Sequence, residues 1–186
     1  MVMELVKVIK QSQIIKYVFL ALIGTILLAI SSKIKIPFYP VPMTMQTFVV
    51  LFIGIAFGWK LGTFTILLYL FEGIIGLPVF SGTPEKGVGL LYFTGATMGY
   101  LIGFIFASFF AGFFKYDNNI FKNFFKITFA TSFIYFLGII WLGSLLGWDK
   151  PIFELGAKPF LLAELFKILL ITFFVSKIIK IRNLIN

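Results

Sequence analysis

The sequence predicts an all-α integral membrane protein with six transmembrane helices. Three observations predict it. Of the 186 residues, 60% are hydrophobic and only 12% charged; the mean hydropathy is +1.06; and the apolar runs are separated by Pro/Gly loops or by Lys clusters. A soluble core of this size does not need that much apolar surface. Each crossing takes about 20 apolar residues, somewhat fewer with polar anchors, so the chain has room for about six in a single transmembrane domain, 1–186. The abundant Phe runs together with Ile and Lys and is not read as a stacking surface for bases. In a membrane protein a net charge of +9 more often sets topology than binds nucleic acid.

Residues 1–13 place Val2, Leu5, Val6 and Ile9 at helical spacing opposite Lys7, Lys10 and Gln11, which predicts an amphipathic helix on the membrane surface. Lys16 precedes the first apolar run, 17–30. Basic residues, an apolar stretch and the small pair Ala29 and Ser31 imitate a secretory signal. The further hydrophobic segments and the amphipathic stretch ahead favour a retained span. Residues 33–42 (KIKIPFYPVP) are a Pro-rich extended connection that cannot continue a helix. The second span, 44–57, stops at Trp59 and Lys60, an interfacial aromatic beside a charge. The third, 61–77, breaks at Pro78, and the Trp-Lys anchor between the two favours separate crossings over a re-entrant hairpin. Residues 78–89 (PVFSGTPEKGVG) read as a loop.

The fourth span, 90–114, carries Gly95, Gly99, Gly103, Ala107 and Ala111 in one spacing-of-four row, and Gly54, Gly58 and Gly62 make a second row between spans two and three. Small residues so spaced let helix backbones approach closely, and both rows are read as packing. A polar, basic stretch, 115–126, leads to the fifth span, 127–147. After a loop, 148–158, the sixth span is 159–175, followed by Lys177, Lys180 and Arg182. Six spans put both termini on one side. That side, with Lys60 and the 115–126 turn, holds ten Lys and Arg, against five (Lys33, Lys35, Lys86, Lys150 and Lys158) on the other. The positive-inside rule then predicts cytoplasmic termini and an outward-facing substrate pocket under the two Pro/Gly loops.

Several chemistries are excluded. With no Cys and no His, the chain has no disulfide, thiolate nucleophile, Cys/His zinc site or imidazole base. Seven Asp and Glu in all make a carboxylate metal cluster a poor expectation, and no cofactor is expected. GxxxxGK[ST], GxSxG and HExxH are absent, so the chain is not read as an enzyme or as an ATPase of its own. What stands out is PFLLAELFKILL at 159–170, which places Glu164 and Lys167 three apart, on one helix face, within an apolar run. A charge at the bilayer centre costs roughly 2.5 to 3.5 kcal/mol on insertion scales, so such residues usually face a protein interior or cavity. Two readings stay open: a functional pair in a cavity, or a self-neutralising pair at a helix end. Thr44, Gln46 and Glu72 fall in the same half of the bundle, so polar groups from distant parts of the chain converge there.

Four stretches stand in order along the chain: VPMTMQTF at 41–48, LYLFEGIIGLPVFSG at 68–82, GATMGYLIGF at 95–104 and PFLLAELFK at 159–167. In these the chain resembles the BioY family, the biotin-binding S components of energy-coupling factor (ECF) transporters, whose patterns there are VPVTLQTL, LYLLxGxxGLPVFxG, GPTGGYLLGF and PFLPGDLLK. Glu164 stands where the family pattern has Asp, Ala96 where it has Pro, and Met98 where it has Gly. The resemblance implies biotin as substrate, with Glu164 accepting a ureido N–H and Lys167 serving a ligand oxygen. Gln46 and Thr44 are candidates for further hydrogen bonds, with helix capping the alternative for Thr44. Thr97 and Tyr100 are expected to line the cavity or pack helices, Phe80 and Ser81 to lie over its mouth, and Glu72 to sit nearby or at the interface. Small residues of an AxxxA pattern, here Ala21 and Thr25 with Ala29 a turn on, are implied to dock on a T subunit working with two ATPase subunits. The other readings are an ion-coupled carrier working alone, with Glu164/Lys167 as its switch, and a non-transporting membrane scaffold.

Overall fold

A computed structural model of the chain describes residues 2–85 and 87–185, with side chains described from Gln13 onward. The side chains of residues 1–12 and Lys86 therefore lie outside the described residues. The main helices are α1 (Val2–Lys33), α2 (Gln46–Ile74), α3 (Met98–Phe113), α4 (Ile120–Leu146), the short α5 (Ile152–Gly156) and α6 (Leu161–Ile185). Within them Gln13–Lys33, Gln46–Ile74 and Ile120–Leu146 are long and apolar enough to cross a membrane, and Met98–Phe113 is a shorter apolar helix.

α1 runs without a break, so the stretch expected as a separate surface helix continues into the first span. Its inward stripe is small and polar, with Ala21, Thr25, Leu28, Ser31 and Ser32 buried. Its opposite face exposes Phe19, Leu22, Ile23, Ile26 and Ile30. Such an arrangement is stable when the surrounding solvent is hydrocarbon, because apolar side chains lose nothing by facing lipid.

α2 is a helical hairpin rather than one rod. Gly58 has φ +78°, ψ 169° inside it, a conformation that glycine adopts without the strain a Cβ brings. Gln46 at the start of the helix hydrogen-bonds Tyr69 near its end, so the two halves run back along each other, where the sequence predicts the second and third spans. A Cβ on Gly62 would come within 3.1 Å of Gly54 Cα, so the predicted glycine row is the seam of this hairpin. α2 packs against α1, α3 and α6, while α4 closes the bundle against α3 and α6.

The Pro-rich connection is bracketed by a two-stranded antiparallel ribbon, β1 (Lys35–Ile36) and β2 (Met43–Thr44), with Lys35 opposite Thr44. The fourth span is shorter than expected. Residues Gly89–Thr94 form a 3₁₀ turn with Leu90 and Leu91 exposed, Gly95 is extended, and α3 starts only at Met98. Apolar composition carried the expectation through this stretch, but the extended Gly95 ends the turn, and the Tyr92 hydroxyl is tied instead to the Ser81 carbonyl at 2.8 Å. Conversely, α4 starts seven residues before the expected 127, at Ile120. The Asn119 side chain caps it by accepting from Lys122 N at 3.0 Å, which satisfies an orphan amide of the first turn.

Candidate functional site

The one charged pair expected in an apolar run is buried: Glu164 is 4% and Lys167 6% exposed. The spacing of three on α6 brings Lys167 Nζ to 3.4 Å from Glu164 Oε2. Ions that have left water hold this position only where further hydrogen bonds compensate them, and β2, the first turn of α2 and α4 supply these. Lys167 Nζ donates to the Thr44 carbonyl at 2.8 Å and to Thr47 Oγ1 at 2.9 Å. Thr47 Oγ1 in turn donates to Glu164 Oε2 at 3.0 Å, and the Tyr135 hydroxyl of α4 donates to the same oxygen at 2.8 Å. Oε2 is thus saturated and every ammonium proton of Lys167 has an acceptor. Glu164 Oε1 is different: it is buried and has no hydrogen-bond partner among the described residues.

Glu164, Lys167, Gln46, Thr44, Ser81, Thr97 and Tyr100 all line one cavity. Seven of the nine expected ligand-site residues, from four separate stretches of sequence, are thereby brought together. The cavity they line is narrow, with about 60 Å³ of room inside it. Thr44 is not the N-cap of α2, a place taken by Met45 without a side-chain cap bond, although its Oγ1 accepts from Gln46 N at 3.3 Å. The Tyr100 hydroxyl is engaged by the Gly156 carbonyl at 2.8 Å, so Tyr100 offers the cavity mainly its ring. Ser81 Oγ is a second buried polar atom without a partner among the described residues. Apolar walls come from Leu101, Phe104, Ile134 and Phe160.

Two expectations are corrected by placement. Phe80 does not lie over the mouth: its ring is 1% exposed, packed edge-on to Tyr69 at 5.2 Å and stacked on Tyr92 at 4.8 Å. Gly73 leaves the space it fills, since a Cβ there would collide with the ring. Glu72 is half-buried, outside the cavity, on the side of α2 that faces Thr25. The implied docking row is likewise turned inward, with Ala21 and Thr25 buried in this chain and Ala29 half-buried.

Sequence reasoning missed Thr47, Tyr135 and Tyr92, all of which line the cavity. A signal existed for Tyr135, a hydroxyl in the middle of an otherwise Phe- and Ile-rich helix, because a buried Tyr O–H usually finds a partner. Burial pushes the Tyr92 hydroxyl above its ordinary value, so it stays a neutral donor to Ser81.

The fold and site define a helical membrane protein with a polar, charge-paired cavity enclosed at one end of its bundle. The chain belongs to the BioY family, whose model matches residues 4–183. It is 34% identical over 157 residues to a probable biotin transporter BioY of Pyrococcus horikoshii, covering 82% of this chain and 89% of that one. It is 30% identical over 149 residues to a probable biotin transporter BioY of Rickettsia prowazekii, covering 79% of this chain and 75% of that one. Its fold matches the 2.1 Å crystal structure of the S-component for biotin from an ECF-type ABC transporter with a TM-score of 0.75 and 27% identity, over 91% of this chain and 93% of that one.

Proposed function

We propose that this chain is the biotin-capturing membrane subunit of an ECF transporter, taking up biotin in the cell membrane as a single multi-pass domain. The observation that carries the reading is the free Glu164 Oε1. A buried carboxylate oxygen without a donor is costly, and a ureido N–H of biotin is a donor of the kind that relieves it. Ser81 Oγ is free for a second polar contact, while Leu101, Phe104 and Phe160 suit an apolar sulfur ring. Lys167 enters differently from the expectation. Its contacts to Thr44, Thr47 and Glu164 make it the group that holds the carboxylate in place, and it serves a ligand oxygen only by exchanging one of them.

The distribution of Lys and Arg supports cytoplasmic termini and a mouth, formed by the 35–44 and 78–94 segments, that opens outward. The absent P-loop motif agrees with energy supplied by ATPase subunits acting through a T subunit. Because Ala21 and Thr25 are covered, a T subunit docks on the exposed face of α1 or on another helix, unless α1 repacks.

The test is titration of the purified protein with biotin beside Glu164→Ala and Lys167→Ala. Wild type is expected to bind one biotin, and both variants to lose at least about 100-fold in affinity, as truncating one partner of a buried charged pair costs about 3 to 5 kcal/mol. Wild type that binds no biotin, or variants that bind like it, would overturn the reading.

A further inference from the structure

Lys33 is assigned no role by the cavity, yet its side chain is the most heavily engaged outside it. It ends α1, and its Nζ lies 2.9 Å from the Pro78 carbonyl, 2.9 Å from that of Phe80, 3.3 Å from that of Thr83 and 3.1 Å from Thr83 Oγ1. The preceding residue acts on the same loop: Ser32 Oγ lies 2.8 Å from the Val79 carbonyl. The last turn of α1 thus grips the backbone of 78–83, the segment that carries Ser81 to the cavity.

We propose that Lys33 is a positioning residue, a latch that holds the 78–83 roof over the binding cavity and sets how fast ligand passes beneath it. The inference rests on the biotin-binding reading. Beside the neutral hydroxyls of Ser32, Tyr69 and Tyr92 on its carbonyls, the loop has two anchors that contrast most. Phe80 is a buried wedge in the aromatic cluster of Tyr69, Tyr92 and Phe93, inaccessible unless the loop unfolds. Lys33 is an exposed side chain, whose charge-assisted bonds compete with water and exchange readily. A segment fixed at one point by packing and at another by a water-accessible ammonium opens at the second. The latch also connects to the site. Tyr69 donates to the Val79 carbonyl at 2.8 Å and accepts from Gln46 Nε2 at 2.8 Å, and Tyr92 donates to the Ser81 carbonyl. Loosening the roof therefore removes the bond that orients Tyr69, the partner of Gln46, and shifts the backbone that places Ser81.

The experiment pairs backbone hydrogen exchange of ligand-free protein with stopped-flow biotin association and dissociation, on wild type, Lys33→Met and Lys33→Arg. Lys33→Met is expected to melt close to wild type, because the Phe80 wedge remains. Its amides in 78–85 should exchange faster, and biotin should dissociate about 10-fold faster, the loss expected of one or two charged hydrogen bonds. Lys33→Arg should restore most of both. Unchanged exchange in 78–85 overturns the latch. Faster exchange with an unchanged dissociation rate overturns its role over the cavity. If Lys33→Met does not fold, Lys33→Gln replaces it and the same two rates decide. Wild type without biotin binding sinks the functional reading instead, and the exchange arm then judges the latch by itself.

Discussion

The two ends of the bundle are joined by different means. At the cavity end, helices distant in sequence are cross-linked through side-chain hydrogen bonds: Tyr135 and Thr47 to Glu164, Lys167 to Thr44, Gln46 to Tyr69. At the end that turns at Gly58, close backbone approach carries more of the joining, beside a few side-chain bonds such as Lys16 Nζ to the Ile185 carbonyl at 2.7 Å. A Cβ on Gly112 would lie 2.6 Å from the Gly54 carbonyl oxygen, and one on Gly103, midway along α3, 2.6 Å from Ile134 Cα. Around them Phe110 stacks on Phe133 at 4.7 Å and Phe109 on Phe113 at 5.8 Å. Hydrocarbon offers helices no hydrophobic drive to associate. Close packing of small and aromatic residues can supply attraction without any polar group, and it leaves nothing for a polar ligand to bind. The polar end is therefore the costlier way to join helices, and the end where a ligand can replace a contact.

This contrast can be broken at either end. The largest expected effect is Gly112→Leu, whose side chain has no space beside the backbone of Gly58 and Trp59. It should lower stability by about 3 kcal/mol or more, read as a lower melting temperature in detergent, while the protein that remains folded binds biotin with wild-type affinity. Weaker binding by that folded fraction would mean the two ends are coupled. Next is Thr47→Val, which removes both the donor to Glu164 Oε2 and an acceptor for Lys167. Biotin affinity should fall by about 2 kcal/mol, or roughly 30-fold, with a melting shift much smaller than that of Gly112→Leu. Tyr135→Phe keeps the ring and deletes one hydrogen bond, so calorimetric titration should show about 1 kcal/mol of lost affinity. Glu72→Gln, outside the cavity, should stay within about 0.5 kcal/mol on both measures; a clear loss of binding would move the site boundary toward α1.

Much of the site was legible because charge in lipid is conspicuous. Glu164 and Lys167 stand in an apolar run where neither belongs without a partner, and the separation of three already places them together. Thr97, Tyr100 and Ser81 could be placed near the cavity by the resemblance of their surrounding motifs. Phe80 misled because an aromatic on a loop looks alike whether it covers a ligand or fills a core. What decides is the space over Gly73, which belongs to another element. Ala21 and Thr25 misled for a related reason, since periodicity says that they share a face with Leu28 and not which neighbour covers it.

By itself, then, the sequence determined what is local and additive: which stretches are apolar enough for lipid, where Pro37 and Pro78 interrupt them, that the Gly58 row permits close helix packing, and that one buried charge pair needs compensation. Only the tertiary structure decided which groups supply it. Thr47 and Tyr135 reach Glu164 across 117 and 29 residues of chain, and whether one carboxylate oxygen is saturated while the other is free depends on side-chain geometry that no spacing rule contains. A hydrogen bond is directional over a few tenths of an ångström, whereas hydropathy is summed over whole turns. For that reason the membrane architecture is readable from composition, and the free oxygen of Glu164 is not.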